Sequence, residues 1–345
     1  MTTMKRRFVS HTTQMQHLLL LVVLSLLSVT TRCFVFPNGN TRPTTRSGPV
    51  PLAAFTERQM QFWEDVDSGL DDIENFYAKK GQDIQRIRTF AKTARGELPA
   101  PQGYAPGHSP SEEHVEGLSA KPFWITSEKP DLFPWAKELE DKSSIIVEEF
   151  EAKLQRDQAL FNADSAWQNQ VMGAGWSAIR LQRLGVWNMD NCQEFPKTYE
   201  LLQSLGIPLA VRGVCFARQA PGSGVAEHSD GRNFILTSHL GLKIPTGCWI
   251  EVAGERQSWT EGKLTTLDTS FLHSTGNPTD EDRHVLILDF WHPELTEAER
   301  AALEFVYDLR NKFESGKIPF RKPKALQQES GGLGGWFKSI TGQSQ

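Results

Sequence analysis

VRGVCFARQAPGSGVAEHSDGRNFILTSHLGL, residues 211–242, carries the reading of the whole chain. Two runs rich in β-branched and aromatic residues, Val211–Gln219 and Phe234–Leu242, flank a stretch dense in Gly, Pro, Ser and Asp. Runs of this kind, bounded by turn formers, read as strands. Others follow at Cys248–Val252, Lys263–Leu267, Leu272–Ser274 and His284–Trp291. Short strands at such close spacing predict a β-sandwich or barrel of the jelly-roll kind. Helical patterns lie on either side, at Ser143–Gln155 and Phe195–Leu205. After His292-Pro293, Thr296 and Glu299 form a capping box that opens a helix to about Phe313. The expected class is mainly β with flanking helices (α+β).

Further out, Trp63, Val66, Leu70, Ile73 and then Ile84, Ile87 and Phe90 recur at three- and four-residue steps. That is the stripe of an amphipathic helix or helical pair over 57–95, packed on the main domain or, less simply, docked on a partner. Gly96–Pro110, with its four Pro and three Gly, reads as a linker, and a domain boundary is placed near 118. At the start, Lys5-Arg6-Arg7 precedes the apolar run Leu18–Val29 and small polar residues, the plan of a signal peptide. The apolar run has 12 residues, whereas a spanning helix needs about 20. The stretch behind it, Cys33–Thr56, is rich in Thr, Pro and Arg and resembles the second part of the bipartite plastid presequences of algae with secondary plastids. The sequence therefore predicts entry to the secretory pathway with a plastid or other organelle favoured. A plain ER/secretory route and a signal anchor are the alternatives, and only such an anchor would touch a membrane. The predicted plan is 1–56 targeting presequence, 57–118 helical arm and Pro/Gly linker, 119–312 catalytic domain, and 313–345 flexible tail, where Trp336-Phe337 could dock.

The charge follows the same division. The 345 residues sum to −5, yet residues 1–56 contain six basic residues and no acid, which leaves 57–345 with 31 basic and 42 acidic residues, a net of −11. An acidic body argues against a nucleic-acid partner, and it would repel an aspartate-rich peptide unless the pocket were locally basic. Four cysteines in a chain of this length do not make a disulfide scaffold. Nothing in the sequence selects an oligomeric state.

The chemistry sits in the turn between the first two strands. His228 and Asp230, spaced two apart, would lie on one face of an extended segment. A second histidine from a distant strand, such as His273, would complete a three-ligand face. Two His and one carboxylate with open positions is the arrangement of non-haem Fe(II) oxygenases. Each residue also has a plainer reading: His–x–Asp as a surface turn, Asp230 as an Asx turn before Gly231, His273 as a satisfied structural histidine. Arg283 shifts the balance. It opens an apolar strand, where a guanidinium is costly unless it meets an anion, either an external carboxylate or an internal acid such as Asp280 or Asp282.

At this point the chain resembles the aspartyl/asparaginyl β-hydroxylase family. His239–Pro245 (HLGLKIP), Asp268–His273 (DTSFLH) and Asp289–Thr296 (DFWHPELT) match that family's motifs in order and spacing. The similarity covers about 119–305, including Phe195-Pro196-Lys197-Thr198 and Trp176-Ser177. It implies a double-stranded β-helix (jelly roll/cupin-like), and a dioxygenase that uses Fe(II), 2-oxoglutarate and O2 to hydroxylate an unactivated C–H. The favoured substrate is an Asp, Asn or other residue of a peptide or protein. A lipid or small-molecule hydroxylase, or a non-catalytic jelly-roll binding module, are the alternatives. The match makes His228 and His273 metal ligands, Arg283 the partner of the distal 2-oxoglutarate carboxylate, and His239 a contact for the carboxylate nearest the metal. Ile235, Thr237, His239 and Gly241 share one strand face, which suits that role. Three departures stand out. Animal members carry arginine where this chain has Thr237, serine where it has Ala217, and glycine where Asp230 would complete a full triad. Arg212, Arg218 and Arg232 are the arginines that could supply the missing charge. Residues 57–118 are too short for the helical-repeat array that precedes the catalytic domain in animal members.

Overall fold

The computed structural model describes residues 55–99, 105–109, 113–161, 167–168, 172–173 and 175–324. The leader through Lys5–Arg7 and Leu18–Val29 and the Trp336-Phe337 tail lie outside the described residues. No helix among the described residues is long and apolar enough to cross a membrane.

The chain begins with two helices, α1 (Glu57–Ala78) and α2 (Gln85–Ala94). A capping box between Thr56 and Gln59 starts α1 by satisfying two amides that no helical carbonyl can reach. Then come β1 (Phe123–Trp124), α3 (Ala136–Asp141), α4 (Ser143–Arg156), β2 (Trp167–Gln168), β3 (Trp176–Arg183), β4 (Val186–Trp187), α5 (Met189–Glu194) and α6 (Pro196–Ser204). The strand-rich half follows: β5 (Leu209–Gln219), β6 (Ser223–His228), β7 (Ile235–Lys243), β8 (Trp249–Val252), β9 (Glu255–Gln257), β10 (Leu264–Asp268), β11 (His273–Asn277) and β12 (Arg283–Trp291). The last helix, α7 (Glu297–Glu314), carries the Thr296–Glu299 capping box read from the sequence.

All strand pairs are antiparallel, in two sheets. The large sheet runs β1-β10-β7-β12-β5-β3-β2 with β4 beside β3, and the small one runs β6-β11-β8-β9. Three apolar clusters explain the layering. One joins the sheets face to face through Ala178, Ala217 and Val285 on the large sheet and Val225, Ile250 and Val252 on the small one. The second covers the outer face of the large sheet with helices, through Leu139, Ile146, Phe150, Leu202, Phe216 and Leu288. Because β12 is buried on both faces, it reads as an almost unbroken apolar run (HVLILDFW) rather than an alternating one. The jelly-roll fold expected from the strand spacing is the fold observed. Strands β3 and β6 carry no clear mark in the sequence. Ser223–His228 in particular reads as a turn because Gly and Ser dominate its start.

The third cluster joins the arm to the rest. Phe62, Val66, Leu70, Ile87 and Phe90 pack with Phe234, Trp291, Leu303 and Val306. The Gly/Pro segment read as a linker is built in where it is described. The Leu272 amide donates to the Gly107 carbonyl (2.7 Å), the Ser109 amide donates to the Ser270 carbonyl (2.9 Å), and His108 stacks on Phe271. Residues 107–109 thus form a strap along the turn that leads into β11. The C-terminal stretch also runs back over α1, where Gln61 donates to the Pro319 carbonyl (3.0 Å) and accepts from the Arg321 amide (3.1 Å).

Candidate active site

The first strand of the small sheet ends at His228, and the next begins at His273. The two residues are direct cross-strand partners, with ring centroids 4.3 Å apart. Asp230 lies in the loop just beyond, its amide donating to the Thr269 carbonyl (2.8 Å). The ligand atoms of His228, Asp230 and His273 all lie within 4.8 Å of one another. The sequence placed His228 and Asp230 on one extended segment; in the structure His228 closes β6 and Asp230 sits in the following turn, and the two still converge.

Both rings are held in the tautomer a metal needs. His228 Nδ1 lies 2.8 Å from the Ala226 carbonyl, and His273 Nδ1 lies 2.9 Å from the Phe271 carbonyl. A carbonyl only accepts, so each Nδ1 carries the proton and each Nε2 keeps its lone pair. Burial lowers the His273 pKa, with its neighbour His228 adding to the effect against an opposing pull from Asp230, so the ring favours its neutral form. The turn that delivers His273 is shaped by Asp268, whose Oδ1 accepts from the Ser270 amide (2.9 Å) and hydroxyl (2.6 Å). Ser229, between His228 and Asp230, has its hydroxyl within 2.9 Å of the Ser109 carbonyl and 2.8 Å of the Ser270 carbonyl. The strap therefore touches both ligand-bearing loops.

The second part of the site lines the same inter-sheet space. Arg283 is 2% exposed, its guanidinium 4.4 Å over the Trp259 ring and bonded to Gln219 Oε1. The internal acid that could have explained it is engaged elsewhere, for Asp282 pairs with Arg218 at 2.8 Å. Arg283 Nε has no hydrogen-bond partner among the described residues, and burial pulls its pKa down to about 10. Taking such a cation out of water costs several kcal/mol in practice, a cost that a carboxylate would offset. His239 stacks on the same Trp259, whose indole N–H donates to His239 Nδ1 (3.2 Å). Indole only donates, so Nδ1 is the unprotonated nitrogen. Burial, then Arg283, lowers the His239 pKa to about 3, so the ring is neutral and its proton is on Nε2. His239 therefore has an N–H to offer. Trp259, which no sequence motif singles out, orients both residues.

The three arginines raised by the sequence separate cleanly. Arg218 pairs with Asp282 and Arg232 with Glu113. Arg212 alone reaches Thr237, its Nη2 lying 3.1 Å from the Thr237 hydroxyl and 3.0 Å from Asp289 Oδ1, while Nη1 bonds Asp230. Ala217 brings only a methyl, buried opposite Val285. Chemically, two imidazoles and a carboxylate suit a divalent first-row metal with positions left open. The Arg283–His239 pair suits an anion with planar oxygens.

Residues 140–293 match the family model described as Aspartyl/Asparaginyl beta-hydroxylase. "Aspartate beta-hydroxylase domain-containing protein 2" of Rattus norvegicus is 32% identical over 223 residues, 58% of this chain and 64% of that protein. "Aspartyl/asparaginyl beta-hydroxylase" of Homo sapiens is 32% identical over 244 residues, 70% of this chain and 32% of that protein. The chain thus spans less than two thirds of the first relative and about a third of the second. Among solved structures, the non-heme alpha ketoglutarate dependent epimerase of nogalamycin biosynthesis overlaps 41% of this chain and 71% of its own, at 21% identity and a TM-score of 0.29, too slight an overlap to carry an argument.

Proposed function

We propose that this chain, a member of the aspartyl/asparaginyl β-hydroxylase family by the match of residues 140–293 to that family's model and by relatives named for aspartate or aspartyl/asparaginyl β-hydroxylases, is an Fe(II)- and 2-oxoglutarate-dependent dioxygenase. The carrying observation is the pairing of two half-sites in one inter-sheet space. One is a cluster of His228, Asp230 and His273, and the other is a buried Arg283, with no carboxylate paired to it among the described residues, beside His239. Iron held by His228, Asp230 and His273 would supply, with 2-oxoglutarate and O2, the oxidising power for C–H hydroxylation, with succinate and CO2 as the co-products.

The chain's own residues do the rest. His228 and His273 present fixed Nε2 lone pairs, and Asp230 adds one charge without filling the coordination sphere. Arg283 holds the distal carboxylate of the cosubstrate, and His239 offers Nε2–H to the carboxylate nearer the metal. Ile250, Val252 and Phe271, all buried, keep water from the walls. The substrate we favour is an Asp, Asn or other residue of a peptide or protein, reached through a secretory or plastid route set by the leader. The net charge of −11 over residues 57–345 favours a second reading, a lipid or small-molecule substrate. Ala217, which offers no polar atom, is the feature that favours a non-catalytic binding module.

Calorimetric titration of 2-oxoglutarate into the Mn(II)-loaded protein separates the dioxygenase from the binding module, Mn(II) standing in for iron without turnover. Saturable binding is expected. Arg283→Met should weaken it roughly 10- to 100-fold, as for loss of a charged hydrogen-bonded pair, while leaving Mn(II) affinity unchanged. Metal binding without any cosubstrate binding would instead establish the module.

A further inference from the structure

Arg212 joins five elements at the metal cluster. It sits on β5, and its guanidinium bonds Thr237 on β7, Asp289 on β12, Thr269 in the turn before β11 and Asp230 in the turn after β6. Strand alternation alone would not put it there. Cys215 and Ala217 face the inter-sheet core, so regular pairing would give that face to Gly213 and turn Arg212 away. The β5–β12 register breaks at this point, passing from Leu288↔Val214 to Phe290↔Leu209, so that five steps of β5 oppose two of β12. Gly213 has φ +72°, and a Cβ on it would lie 2.0 Å from Gln182 Oε1 and 2.3 Å from the Gln182 carbonyl oxygen. Only glycine fits, and the bulge it permits re-aims the neighbouring side chain, as bulges beside sites do.

We propose that Arg212 is the positioning residue of the metal cluster, fixing Asp230 as its third ligand by occupying one carboxylate oxygen and turning the other toward the histidines. The proposal rests on the metal-site reading above. Arg212 Nη1 takes Oδ2, and Oδ1 lies 4.0 Å from His228 Nε2. The backbone is pinned from the same quarter. The Thr269 carbonyl accepts the Asp230 amide (2.8 Å), and the Thr269 hydroxyl lies 3.3 Å from Arg212 Nη2. Asp289 is the anchor that keeps the guanidinium in place, itself accepting from the Thr237 hydroxyl at 2.5 Å. The arrangement gives Thr237 a purpose. A short hydroxyl there leaves room for the guanidinium arriving from β5 and accepts one of its hydrogens. The carboxylate is thus set before any metal arrives, so its ordering is not charged against binding.

The test is Mn(II) affinity, read from the free-ion paramagnetic resonance signal, with the unfolding temperature recorded for each variant. Arg212→Met should weaken Mn(II) binding roughly 10- to 100-fold, the usual effect of losing an outer partner of a ligand. Arg212→Lys, which keeps the charge and loses the fork, should fall between the two and guards against a Met variant that does not fold. The deciding measurement is the double variant. In an Asp230→Ala background, Arg212→Met should cost nothing more, because its effect passes through Asp230. Wild-type affinity in both Arg212 variants, or losses that multiply in the double variant, would overturn the proposal. Absence of Mn(II) binding by the wild type would overturn the metal-site reading and this inference with it.

Discussion

His284 shows what the barrel does to a titratable side chain with no partner. It is 2% exposed between Phe150 and Phe161, and neither ring nitrogen has a hydrogen-bond partner among the described residues. Burial lowers its pKa to about 4, Asp282 pulling the other way and Arg218 adding to the fall. The folded ring is therefore neutral, while the unfolded ring titrates near 6.5. As pH drops below 6.5 the unfolded state takes up a proton that the folded state refuses, so stability is lost down to about pH 4, by about 3 kcal/mol in all. His284→Leu is expected to raise the unfolding temperature, and more at pH 5 than at pH 8. Equal gains at both pH values would show that the ring does not govern the acid limb. The same neighbourhood shows what a sequence reveals about single residues. His228, Asp230, His273, His239 and Arg283 were visible because each sits in a motif with a chemical meaning. Arg212 is only one of three arginines that the sequence offers without choosing among them, and Trp259 is not singled out at all. Arg212 acts through a bulge that alternation cannot foresee, and Trp259 acts by stacking on residues that are remote in the chain.

At the scale of elements, the strap formed by residues 107–109 is the least expected part. The Gly/Pro composition around it reads as a linker, yet at Gly107 the glycine is required by packing rather than by slack. Gly107 has φ +75°, and a Cβ on it would lie 2.8 Å from the Ala253 Cβ. Gly107→Ala should therefore strain the backbone and push the strap off Ala253, at a cost of about 1–3 kcal/mol. Hydrogen exchange at the Leu272 amide, which donates to the Gly107 carbonyl, should quicken with it. Unchanged protection at Leu272 would mean that the strap does not hold the turn before His273. The strands β5, β7, β8, β10 and β12 are legible in the sequence to within a residue or two because their apolar runs are bounded by turn formers, whereas β11 runs three residues past the expected Ser274, through the polar Thr275–Asn277. Strand β3 was obscured because its polar residues, such as Arg180 and Gln182, serve the inside of the fold rather than its surface.

For the molecule as a whole, the described arm and the barrel share one apolar cluster and are joined by buried charge. Glu113, 1% exposed, meets Arg232, Arg310 at 3.4 Å and the Tyr307 hydroxyl at 2.6 Å, and Arg86 grips Glu299 with two bonds of 2.6 Å. The family match begins at 140, so the strap adds its contacts to the site loops from outside the matched segment, while the arm helices pack on the barrel beside it. Such long-range cooperation leaves no local trace in a sequence, whereas the class of the fold and the metal cluster do, through strand spacing and motif. What the account rests on is that this cluster and the Arg283 half-site act together on 2-oxoglutarate. The most direct measurement is Fe(II)-dependent release of succinate from 2-oxoglutarate under O2 with ascorbate, run on the wild type and on His273→Ala. Succinate is expected from the wild type, and both chelation of the iron and His273→Ala should abolish it. No succinate from the iron-loaded wild type, or turnover undiminished in His273→Ala, would contradict this expectation.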